Sequence, residues 1–273
     1  MIRNISPLVA LIFCGLVSLH SQSGFADSYV IDFATDDDGN LMTPGTTDLR
    51  TFDPYDDLFS SGVGVLLSTD SPDVRPLNLY DSEGLSNQDD DLQRLYQGAE
   101  NDWVDGNLIT PGPRAGEQLF NLLIINKDNT ITTPNDNGTG GEMTLNFGIA
   151  LTSFSFDFVD MDLGTRADII FTDNSGGSPV SVTIPFSEFE DGSGSIHQTT
   201  DVIFGDRHAN RILDITAPEL GLSQFDEVTF DMRSSGGIGT LYFETVPEPS
   251  AALLFLLGGA GILFLRRPRQ CRG

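Results

Sequence analysis

Four groups of acidic residues dominate the chemistry open to this chain. They are Asp36-Asp37-Asp38, Asp89-Asp90-Asp91, Asp136 between Asn135 and Asn137, and the spaced set Asp157, Asp160 and Asp162. Calcium takes about six to eight oxygens at ~2.3–2.6 Å from carboxylates, amides and backbone carbonyls, and acidic loops supply them. None of the groups is an EF-hand. Aligning Gly39 or Gly138 as the loop glycine puts Ala34 or Thr133 at the first ligand position, where Asp is required. The plainer alternative is a solvated acidic face that maintains solubility.

Catalysis has less to build on. Between its terminal segments the chain has two histidines, His197 and His208, and no cysteine. It lacks a Gly-x-Ser-x-Gly elbow, a His-Glu-x-x-His helix and a phosphate-cradling glycine loop. Paired acids could serve a glycosidase, but with forty acidic residues adjacent pairs arise by chance. The expectation is that the protein is not an enzyme. Trp103, with Tyr96 nearby, could instead form an aromatic platform for a sugar ring, as in β-sandwich lectins.

The elements that must position these residues are strands. Met143, Leu145 and Phe147 alternate with Thr144 and Asn146, and Phe154, Phe156 and Phe158 with Ser155 and Asp157. Val182, Ile184 and Phe186, then Val228, Phe230 and Met232, then Leu241 and Phe243 repeat the pattern. Such alternation marks half-buried antiparallel strands. Clusters at Asn135–Gly141, Asp173–Ser178 and Ser234–Gly239 separate them. Earlier, Tyr29–Phe33, Gly62–Leu67 and Leu77–Tyr80 read as strands between polar loops, the longest being Asp81–Gln118. Short helical turns are expected near Asp89–Gln97 and Pro185–Glu190. The predicted class is all-β, a two-sheet antiparallel β-sandwich of jelly-roll type, flanked by an N-terminal signal helix and a C-terminal apolar sorting helix.

Both ends read as signals. Arg3 precedes the apolar stretch Leu8–Leu19, and Gly24-Phe25-Ala26 offers a cleavage site after Ala26. This predicts export and removal of residues 1–26 by signal peptidase. Cys14 follows Phe13, which is too bulky for a lipobox. At the other end Val246-Pro247-Glu248-Pro249 leads into the apolar run Ala251–Leu265, which stops at Arg266, Arg267 and Arg269. Fifteen helical residues span roughly 22 Å, short of the ~30 Å hydrocarbon core. The arginines favour the cytoplasmic side, and the prolines keep the preceding segment extended and accessible. This order resembles the PEP-CTERM sorting signal of bacterial exported proteins. The resemblance implies recognition and processing by an exosortase, a cysteine protease of the inner membrane. The expected division is 1–26 signal peptide, 27–245 β-domain and 246–273 sorting signal.

Charge bounds the partners. Five of the fourteen basic residues and one of the forty acids lie in the signals, so the body carries about −30. That repels nucleic acid and anionic lipid. Both cysteines, Cys14 and Cys271, fall in the signals, so the exported body must rely on its core or on bound ions.

A second resemblance covers the body. Ile31-Asp32-Phe33, Gly39-Asn40, Gly62-Val63, Tyr80-Asp81-Ser82 with Asp89-Asp90-Asp91-Leu92, Asn121–Ile125, Pro134–Asn137 with Gly140-Gly141, and Phe225-Asp226 with Val228–Phe230 are similar to an extracellular β-domain common in PEP-CTERM proteins. It implies a β-sandwich without assigned catalysis. Its motif residues, in turn-rich segments that could converge at one end of the sandwich, suggest Asp81, Asp89, Asp91 and Asp136 as calcium ligands. The expected function is an exported, exosortase-processed structural or adhesive protein of the cell envelope or exopolysaccharide matrix. It would be anchored transiently in the membrane and then reside at the cell surface or outside. The alternative is a calcium-dependent carbohydrate-binding module, with a glycoside hydrolase as a remote third.

Overall fold

The computed structural model describes residues 26–59, 63–83, 92, 103, 106–108, 119, 121–161 and 167–247. The two signal segments fall almost wholly outside these, as do the turn expected near Asp89–Gln97 and the two signal helices. Among the described residues no helix is long and apolar enough to cross a membrane. The compact unit is Ser28–Thr245.

The alternation builds ten strands: β1 (Ser28–Ile31), β2 (Leu66–Thr69), β3 (Leu77–Asp81), β4 (Asn121–Ile125), β5 (Gly141–Val159), β6 (Ala167–Asp173), β7 (Val180–Pro185), β8 (Ala209–Thr216), β9 (Phe225–Met232) and β10 (Gly237–Thr245). A 3-10 turn, Phe186–Glu188, follows β7, within the helical turn expected there. Every strand pairing is antiparallel. The all-β class therefore holds.

The division into two sheets needs correcting, because all ten strands join one hydrogen-bonded network in the order β3-β4-β10-β5-β9-β6-β7. Off this path β1 pairs with β10, and β2 and β8 pair with β5. The reason is β5, which runs for 19 residues where the sequence suggests two separate strands. Its first half lies between β2 and β9, and its second between β8 and β10. Between the halves the register against β9 slips. Gly148 sits there at φ +62°, and its N–H bonds the Asn146 side chain at 3.1 Å. A bulge of this kind bends a strand and strengthens its twist, so one sheet curls across both faces of the core.

The core follows the phenylalanine ladder. The Phe156 ring lies between 5.0 and 6.1 Å from those of Phe154, Phe158, Phe186, Phe189 and Phe230. A smaller apolar cluster forms on the other side of β4, where Leu122, Ile124, Tyr80, Val159 and Ala209 meet Leu92, Trp103, Leu108 and Leu119. Strand β4 is thus buried on both faces. The described points of the long connection after β3 are pinned to the sheet. At one of them the Asn107 side chain accepts from Arg211 N (2.6 Å) and donates to Arg211 O (2.8 Å), closing part of the β8 edge.

Candidate functional site

A cleft of about 450 Å³ opens beside β2. Its outer wall begins with a turn at Asp48, whose backbone carbonyl accepts the N–H groups of Thr51 and Phe52. The Asp48 carboxylate takes two bonds from the Arg50 guanidinium, at 2.7 and 2.6 Å, and these hold it below the usual carboxylate range. Phe52 is left at the rim, 41% exposed, with Asp53 behind it. The chain then closes on β2: Val65 N donates to Tyr55 O at 2.7 Å. The approach is so tight that a Cβ on Gly64 would meet Tyr55 O at 1.8 Å. From that pinch the 49–53 segment and β2 diverge, and the cleft is the wedge between them. Leu66, Ser68 and Asp73 complete its walls.

The strand register fixes what β2 presents there. Asp70 N donates to Glu142 O, and the ladder pairs Ser68 with Thr144 and Leu66 with Asn146. Residues 66, 68 and 70 therefore turn their backbone groups toward β5, while 65, 67 and 69 turn theirs away. Val65 is met by Tyr55. On that side Leu67 and Thr69 have no strand partner among the described residues.

Electrostatics at the inner end are strained. Burial first, then the charges of Asp56 and Asp37, push the Asp53 carboxyl above its ordinary value, against a bond from Tyr55 N–H. Its Oδ1 is buried without a hydrogen-bond partner. Burial, followed by Asp32, Asp36 and Asp37, also raises the Tyr55 hydroxyl, which stays protonated and donates to Thr35 O at 3.1 Å. A raised carboxyl binds its proton more tightly folded than unfolded. The folded state thus loses stability as pH climbs from the ordinary carboxylate value through the raised one. Asp53→Asn is accordingly expected to raise the unfolding midpoint at pH 7 and leave it unchanged near pH 3. Paired thermal melts check this, and a lower midpoint for the variant at pH 7 contradicts it.

The residues singled out from sequence are distributed otherwise. Asp81 ends β3 opposite Asn121, whereas Asp136 bridges to Asn126, past the other end of the same strand pair. Five residues of strand separate the two levels, roughly 17 Å. Asp136 is buried and accepts Gly236 N at 2.6 Å. The proposed calcium set is not assembled by Asp81 and Asp136, and Asp89 and Asp91 lie outside the described residues. Among the described residues no group of three or more His, Cys, Asp or Glu is placed to hold a metal. Asp36 instead accepts Asn40 N and Nδ2 (2.7 and 2.9 Å), and Asp37 accepts Asp57 N (2.8 Å).

Trp103 is also corrected. It is 2% exposed and belongs to the smaller core cluster, so its indole is unavailable as a sugar platform; Tyr96 lies outside the described residues. Loop composition suggested exposure, but the sheet beneath needed an apolar cover. Asp157 is not a loop ligand either. It pairs across β5 and β8 with Arg211, whose Nε and Nη2 both bond it, the latter at 2.6 Å. The guanidinium lies 4.8 Å from the Tyr242 ring centroid. Asp160 is buried at φ +59° and accepts Arg207 N at 3.2 Å. Asp162 is outside the described residues. Ala26, Val246 and Pro247 are described, without regular structure. Glu248, Pro249, Arg266, Arg267 and Arg269 lie outside.

Sequence reasoning missed the cleft residues Phe52, Asp53 and Asp73. The available signal was a phenylalanine in a polar turn with no alternating partner, which has no strand face on which to bury.

No family model matches the chain, and no curated protein does. Among solved structures, one described as "Carbohydrate binding module family29" is similar at 16% identity, over 45% of this chain and 67% of that one, with a TM-score of 0.24. That value is too low to establish a shared fold.

Proposed function

We propose that this is an exported, non-catalytic adhesive protein of the cell envelope or exopolysaccharide matrix, and that the cleft beside β2 holds its matrix partner. The cleft itself carries the reading. Its volume of about 450 Å³ suits a recognition site, and it sets exposed Phe52 and Leu66 beside hydroxyl, carboxylate and open backbone groups. An exposed aromatic at a rim gives contact area at little entropic cost.

The test is retention of purified full-length protein, in mild detergent, on cells deleted for its gene. Phe52→Ala is expected to cut the bound fraction severalfold with an unchanged unfolding midpoint, and equal retention of the two proteins rejects the cleft. The reading routes no contact through calcium, because Asp81 and Asp136 stand at opposite ends of a strand pair. Retention is therefore expected to survive a calcium chelator at matched ionic strength. A glycan array run with and without calcium tests the carbohydrate-binding alternative, which calcium-dependent signals would favour.

Export and processing belong to the same proposal. The order Pro247-Glu248-Pro249, apolar run and arginine cluster supports exosortase cleavage, with the body released from its transient anchor to the surface. Replacing Pro247, Glu248 and Pro249 with alanines is expected to leave full-length protein in the inner membrane. Mass spectrometry that finds Cys271 on the wild-type surface protein contradicts it.

A further inference from the structure

We propose that the open edge of β2 receives an extended, lysine- or arginine-bearing polypeptide segment as an added strand. This rests on the adhesive reading of the cleft and names its partner class. The wedge begins where Tyr55 O satisfies Val65 N (2.7 Å); beyond it no strand among the described residues pairs with the outward backbone groups of Leu67 and Thr69, which continue the row. A strand in that gap would complete a ladder that β2 makes on its other side only. Side chains would alternate across it: one set toward buried Leu67 and Leu77, the other toward exposed Leu66 and Phe52.

Charge selects the occupant. Asp53 and Asp73 line the cleft, and Arg50, the one cation that lines it among the described residues, is already held by both oxygens of Asp48. A cationic side chain would meet Asp53, which has no ion-pair partner among the described residues, and Asp73, which Arg50 reaches only through a Coulombic attraction; one near Asp53 would relieve the repulsion from Asp37 and Asp56. A second copy of this chain is disfavoured, because two bodies of about −30 repel. An acidic polysaccharide is disfavoured for the same reason.

The experiment uses fluorescence anisotropy with full-length protein and a short labelled peptide alternating lysine and valine. Saturable binding is expected, weakened by sodium chloride and by Asp53→Asn with Asp73→Asn. N-methylating one of the two alternate residue sets removes the donors that would face β2, and is expected to weaken binding about tenfold or more, whereas methylating the other set is tolerated. Equal affinity for all methylated forms would mean adhesion to an acidic surface without strand addition. Equal affinity for a glutamate–valine peptide would overturn the cationic partner. If the peptides fail while a glycan binds in a Phe52-dependent way, strand addition is wrong and the adhesive cleft stands. If neither binds and cell retention ignores Phe52, both readings fall.

Discussion

Asp157→Ala is expected to lower the unfolding free energy by about 3–5 kcal/mol, because it takes from the buried Arg211 guanidinium the carboxylate that both Nε and Nη2 bond. Arg211 is 5% exposed and Asp157 fully buried, so water cannot replace the lost partner. The pair is also bidentate, which strengthens the coupling. Removing both charges together, as Asp157→Leu with Arg211→Met, is expected to cost much less than Asp157→Ala alone, since no charge is then stranded. Urea titrations of Asp157→Ala and of the double variant measure this. A single-variant loss below about 1 kcal/mol, the range of an exposed pair, would show that the site is wet.

Phe156→Ala is the second large effect, also about 3–5 kcal/mol for a buried phenylalanine. For a domain of this size that corresponds to roughly 6–20 °C in midpoint. Five aromatic neighbours surround the ring on three separate chain segments, so the void cannot close by moving one loop. Phe156→Leu keeps most of the volume and is expected to lose markedly less. Calorimetry showing equal losses for the two would mean that the core collapses around the site.

The legible strands were those with one wet face. Met143, Leu145 and Phe147 are buried while Thr144 and Asn146 between them stay partly exposed, and period two survives in the sequence. Strand β8, Ala209–Thr216, gave no such signal: its first four residues are buried on both faces, and Asn210 and Arg211 are polar residues satisfied inside. A covered outer face can hold apolar or polar residues: in the second half of β5 Ser155 and Asp157 are buried and the alternation persists, whereas in β8 it is lost. The same covering explains Trp103. Asp102 and Asp105 stand close to it in sequence, but its burial depends on Tyr80, Leu122 and Val159, residues distant along the chain. The Asp157–Arg211 pair was invisible for a related reason, since 54 positions separate the partners and nothing local announces them. The cleft was missed because it is a gap between segments, defined by where the 49–53 turn departs from β2.

Strand β10 is flanked by β1, β4 and β5, and this fixes when the molecule can fold. β1 opens the body and β10 closes it, with Ser28 opposite Glu244. A chain emerging from its N-terminus must therefore hold β1, β4 and the second half of β5 in waiting until nearly the whole body has appeared. Pairings this distant are slow to find, on the order of milliseconds to seconds for β-topologies rich in them. Until they are found, the unpaired edges remain competent to stick to other chains. Maturation is thus timed by the arrival of the last strand, and a chain broken upstream of Gly237 lacks the strand that joins β1 and β4 to β5. Completeness of the polypeptide is read out by folding itself.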